Sequence, residues 1–89
     1  MQICIIDGNE IKNRDVLHDT LNRALHFPEW YGRNLDALYD CLTDTYEETK
    51  LLFRNLDALE GALGNYAKAL VKVAYVAAEE NDKIRLEFQ

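Results

Sequence analysis

The chain opens on QICII, Gln2–Ile6, a short apolar run rich in β-branched residues and closed by Asp7-Gly8. That pattern predicts a buried strand followed by a turn. From Asn13 the period changes. Leu17, Leu21, Ala24 and Leu25 recur at helical spacing, behind an Asn13 cap and with Asp15 in the first turn. Pro28, the single proline, stops this helix near Phe27. Trp30-Tyr31-Gly32-Arg33 reads as a connector in which Gly32 is free to take a positive φ. Asn34 caps a second helix running to about Thr45, and KLLF, Lys50–Phe53, is a second short strand. Asn55 caps a short helix through Leu63, ended by Gly64. Asn65 caps a longer one, with Leu70, Val73 and Ala77 turned inward. After an Asn81-Asp82 turn, Ile84, Leu86 and Phe88 alternate with Lys83, Arg85 and Glu87, as on a half-exposed strand.

The order β-α-α-β-α-α-β puts helical crossovers between strands. It predicts an α/β fold, a small three-stranded parallel sheet packed with about four helices. The length suits a single domain over residues 1–89 with a modest core. No apolar run approaches the roughly 20 residues of a membrane span, and MQICIIDGNE lacks the basic start of a signal peptide. Cys4 and Cys41 lie in apolar patterns and outside any CxxC, as buried free thiols do. The expected location is cytoplasmic.

Charge changes the picture most. The net charge is −6, and residues 29–48 alone set six acids against Arg33 for a net of −5. An acidic patch disfavours nucleic acid and membrane surfaces and favours a basic partner. At about 100° per residue, Leu35, Leu38, Cys41 and Leu42 share one side of the second helix. Asp36, Asp40 and Thr43 fall opposite, with Tyr39 and Asp44 on the two edges. Asp36 suits the first turn of a helix. Asp40 and Asp44 do not fit so easily: aspartate is a poor mid-helix residue, and like charges four apart cost about 0.2–0.5 kcal/mol per pair. Local rules broken without visible compensation often mark a functional face, and a solvated helix face is the alternative reading of the pattern. Trp30 and Tyr31, in the connector beside it, are residue types enriched at interface hot spots.

Catalysis finds little support. A carboxylate pair can do acid–base chemistry or help hold a metal, which leaves open a metal-assisted hydrolase using Asp36 and Asp40. Only His18 and His26 could assist; they lie eight apart on the first helix and read as surface or boundary residues. No phosphate loop, Ser/His/Asp set or Cys/His set is present. The chain reads as a binding protein, not an enzyme, with no cofactor and no metal.

IDGNEI, DVLHDTL and above all PEWYGRNLDALYDCLT resemble the barstar family, intracellular inhibitors of the secreted ribonuclease barnase. The resemblance is dense from Ile6 to Thr43 and thinner beyond. It implies a three-stranded parallel sheet with four helices, and a second helix and preceding loop that plug the enzyme's active site one-to-one. It implies that Asp40 occupies a phosphate-binding pocket, that Asp36 supports it, and that Trp30 lies over a catalytic histidine. Gly32, Asn34, Leu35 and Thr43 match positions on or beside the contact surface, and Tyr39 matches an aromatic on the helix shoulder. The rim departs from the family: Asp44 and Thr45 replace Gly and Trp, and a further acidic position falls on Val76, with Glu79 and Glu80 nearby. The implied partner is a basic secreted ribonuclease met by a monomer in a 1:1 complex. A different basic nuclease toxin or a regulatory protein is the alternative that the rewritten rim leaves open.

Overall fold

A computed structural model describes all of residues 1–89. The elements run β1 (Gln2–Asp7), α1 (Arg14–Leu25), α2 (Leu35–Thr43), β2 (Thr49–Arg54), α3 (Leu56–Leu63), α4 (Asn65–Glu80) and β3 (Ile84–Phe88). The strands form one parallel sheet in the order β1-β2-β3. Cys4 pairs with Leu51 and Leu51 with Leu86; Ile6 pairs with Phe53 and Phe53 with Phe88. This is the predicted α/β architecture, with three parallel strands and four helices. No helix is long and apolar enough to cross a membrane.

Alternation along the strands decides where the core lies. Cys4, Ile6, Leu51, Phe53 and Ile84 point into one buried cluster with Leu17 and Leu21 of α1, Leu38 and Leu42 of α2, and Leu70 and Ala74 of α4. Ile3 and Ile5, on the other face of β1, are 51% and 43% exposed. The apolar run of β1 thus predicted burial on both faces, and the structure buries one. Burial pushes the Cys4 thiol up to about 12. Both cysteines are free and buried, as expected.

The caps sort into those that the local sequence dictates and those that it does not. Asn13 and Asn34 accept from the backbone N–H of Val16 and Ala37, at 2.9 and 2.8 Å, and start α1 and α2 as predicted. α1 ends at Leu25, before Pro28 can act, because His26 takes a left-handed conformation and its N–H closes on the Asn22 carbonyl. α2 ends at Thr43, with Asp44 as its cap. Asn55 sits before α3 but does not cap it; at φ 53° its side chain donates instead to Asp7 Oδ1, at 2.8 Å. Asn65 is the first residue of α4, whose cap is Gly64 at φ 61°. Gly32 does not take the positive φ expected of it. Arg33 does, at 57°, held there by its own side-chain contacts to α1.

Candidate functional site

The site is built on the N-terminal cap of α2. Both polar atoms of the Asn34 side chain are engaged in forming that cap. Its Oδ1 accepts from Ala37 and its Nδ2 donates to the Gly32 carbonyl at 3.2 Å. A β-carbon on Gly32 would approach that Asn34 amide to 3.2 Å, so the absent side chain gives the turn its room. Leu38, Cys41 and Leu42 then anchor the inner side of α2, and Leu35 packs partly buried against the same cluster.

Asp36, Asp40 and Asp44 all stand exposed on the outer side. Their spacing advances about 40° round the helix at each step, so they form a slanting stripe. No lysine, arginine or histidine lies within ion-pair distance of any of them; the four ion pairs of the chain are all elsewhere. Arg33, the only base in the acidic stretch, is turned away. Its guanidinium reaches Asp19 at 2.9 Å and the Asp15 carbonyl at 3.0 Å on α1. The stripe is therefore left without an internal counter-charge, although a cation stands three residues from Asp36.

The shoulders of α2 are tied down. The Tyr39 hydroxyl donates to the Glu80 carboxylate at the end of α4. That bond holds the phenol above its ordinary pKa, with lesser contributions from burial and from the charges of Glu80 and Asp40. The Thr43 hydroxyl turns back to the carbonyls of Tyr39 and Asp40, at 2.9 and 3.2 Å. Asn81 closes the far end. Its amide donates to the carbonyls of Leu42 at 2.9 Å and Thr45 at 3.0 Å, capping α2 from outside. The sequence showed Asn81 only as a turn residue, and nothing local distinguishes a turn asparagine from one that caps a helix 39 residues earlier.

Trp30 and Tyr31 separate. Trp30 is 70% exposed, at the edge of a cleft that also includes Asp44. Tyr31, predicted to lie with it on the contact surface, is 6% exposed and belongs to the core. Its hydroxyl meets His18 Nδ1 at 2.6 Å, and Tyr66 of α4 meets Nε2 at 2.8 Å. Phe27 packs on the Tyr31 ring, with centroids 4.7 Å apart. His18 is accordingly not a surface or boundary residue; it is 1% exposed and pins the connector between α1 and α4. Both ring nitrogens of a neutral imidazole can be satisfied by two phenols, one as donor and one as acceptor. His26 is exposed, and no three His, Cys, Asp or Glu side chains converge as a metal site would require.

Burial lowers the His18 pKa below 6.5; Arg33 and Arg14 add to the effect while Asp15 and Asp19 oppose it. The unfolded chain then takes up this proton at a higher pH than the folded one. The stability that His18 contributes is complete above about pH 6.5 and is lost as pH falls from there toward the lower folded value. The urea midpoint is expected to drop between pH 7 and pH 5. The His18→Gln variant should lose less over the same interval. Equal slopes in the two proteins would show that His18 is not the titrating group.

Over 35 residues the chain is 54% identical to a Bacillus subtilis (strain 168) protein named "Putative ribonuclease inhibitor YrdF". That segment is 39% of this chain and 38% of the relative, so the match spans well under half the length of either. The family model described as barstar, barnase inhibitor, matches residues 1–89 from end to end. The chain thus belongs to the barstar family, a family of enzyme inhibitors and not of enzymes.

Proposed function

We infer that the chain is an intracellular inhibitor of a barnase-type ribonuclease, binding one-to-one and covering the basic active site with α2 and the connector before it. One observation carries this reading: a stripe of three exposed aspartates has no internal cation, while the nearest base is held away on α1. A ribonuclease must grip a phosphodiester with Arg, Lys and His side chains. Carboxylates placed in that grip replace the phosphate through charge-assisted hydrogen bonds. Asp40, in the middle of the stripe, would be the anchor and Asp36 its electrostatic support. Trp30, Tyr39 and Thr43 would pack around them, and Asp44 would extend the stripe. Gly32, Asn34 and Leu35 would hold the backbone of the contact, with Tyr31 supporting it from inside. Two free thiols suit a reducing cytoplasm. Asp44 and Thr45, which depart from the family pattern, favour a second reading in which the same face meets another basic nuclease toxin or a regulatory protein.

The experiment is stopped-flow mixing with barnase across a range of salt. Complementary fields accelerate encounter and are screened by ions over about 8 Å at physiological ionic strength. The association rate is expected to fall steeply with salt while dissociation changes little. An association rate indifferent to salt would remove the electrostatic basis of the proposal.

A further inference from the structure

Trp30 is the only tryptophan in the chain, and it stands at the edge of a cleft of about 190 Å³. Leu25, His26, Phe27 and Pro28 line it from the end of α1 and the connector, Cys41 from α2, and Asp44 and Thr45 from the exit of α2. The aspartate stripe leads there: each step turns it further toward the Cys41 side of the helix, and Asp44, its last member, reaches the rim. The Cys41 thiol is pushed up, first by burial and then by the charges of Asp40 and Asp44, so that it stays protonated and apolar at neutral pH. The Thr45 hydroxyl is already engaged by the Cys41 carbonyl at 2.8 Å. What remains is an indole wall, apolar side chains, the imidazole of His26 and one carboxylate, Asp44, that makes no ion pair.

We propose that this cleft receives an arginine side chain of a basic protein partner, its guanidinium stacked on Trp30 and hydrogen-bonded to Asp44, its stem lying along Phe27 and Pro28. The proposal rests on the reading of the acidic face as a site for a basic protein and adds the contact that selects among such partners. Arginine fits better than lysine because its guanidinium is planar, weakly hydrated and able to fork onto a carboxylate while stacking on an aromatic ring. An aromatic side chain would fill the cleft but leave Asp44 unpaired. A ring 70% exposed keeps another face free for the histidine that the family resemblance places against it.

The test compares hexa-arginine with hexa-lysine, two peptides of equal side-chain charge, by calorimetry on the intact chain. The wild type is expected to bind hexa-arginine at least about threefold more tightly, with a change in Trp30 emission. In Asp44→Asn and in Trp30→Leu the preference should fall to near unity; both positions are exposed, and circular dichroism checks the fold. Asp36→Asn should weaken both peptides alike. Equal binding by the wild type, or a preference that survives in Asp44→Asn, overturns the proposal. Barnase inhibition is read in parallel. Arginine preference without inhibition overturns the nuclease reading and leaves the cleft, whereas inhibition without arginine preference does the reverse.

Discussion

Gly8→Ala is expected to destabilise the chain by about 3 kcal/mol or more, because the added β-carbon has no room. Gly8 follows β1 and is buried against the start of α3, and its N–H donates to the Arg54 carbonyl at 2.9 Å. A β-carbon there would fall onto the Asn55 carbonyl oxygen and the Leu59 amide nitrogen, with the Ala58 carbonyl carbon at 3.1 Å. All three are backbone atoms and none can rotate away. The only relief is to push α3 off the sheet, which opens the core at Leu59. Gly61 gives the contrast. It lies inside α3, and a β-carbon there meets nothing within 4 Å. Gly61→Ala should therefore be neutral or stabilise by up to about 1 kcal/mol, through helix propensity alone. Urea midpoints with unchanged m-values would measure both. A Gly8→Ala variant as stable as the wild type would mean that α3 does not pack as described.

Gly8 also illustrates what the sequence concealed. Asp7-Gly8 reads as a turn signal, and the turn is there, but the glycine is required for space against α3, a helix far along the chain that begins only at Leu56. The elements themselves were legible, because period-two and helical patterns are local properties and two of the asparagine caps act within their own turn. The differences arise where a residue's partner is distant. Asn55 leaves its helix for Asp7, and Arg33 holds the strained backbone in place of Gly32 because Asp15 and Asp19 draw its side chain to α1. His18 looked polar on an amphipathic helix, and only its meeting with Tyr31 and Tyr66 allows it to be buried. In the candidate site the acidic face was readable from spacing. The absence of a counter-ion on it was not, since Arg33 is adjacent in sequence and its direction is a matter of tertiary structure. Nor was the inward turn of Tyr31, which an aromatic pair in a connector gives no means of predicting.

The second large effect is a loss of binding at Asp40. Asp40→Ala is expected to weaken the complex with barnase by about 2 kcal/mol or more, roughly 30-fold, as removal of a central charged anchor does. Charge pairs across the barnase–barstar interface are themselves a standard example of such energetics. Asp36→Ala should lose less, because Asp36 lies in the first turn of α2, at the end of the stripe and not at its centre. In the unbound chain the sign reverses. Asp40→Ala replaces a poor helix former and relieves repulsion from Asp36 and Asp44, so it should stabilise the free protein by about 0.5 kcal/mol. A gain in stability joined to a loss of binding is the signature of a residue kept for its partner.

The most direct measurement is a titration of the purified chain into barnase while RNA cleavage is followed, with Asp40→Ala run beside it. Cleavage is expected to stop at one equivalent of the wild type, and the variant to need a concentration higher by roughly 30-fold or more. Unimpeded cleavage in a large excess of the wild type would rule out inhibition of this enzyme, and a variant that titrates like the wild type would rule out Asp40 as the anchor.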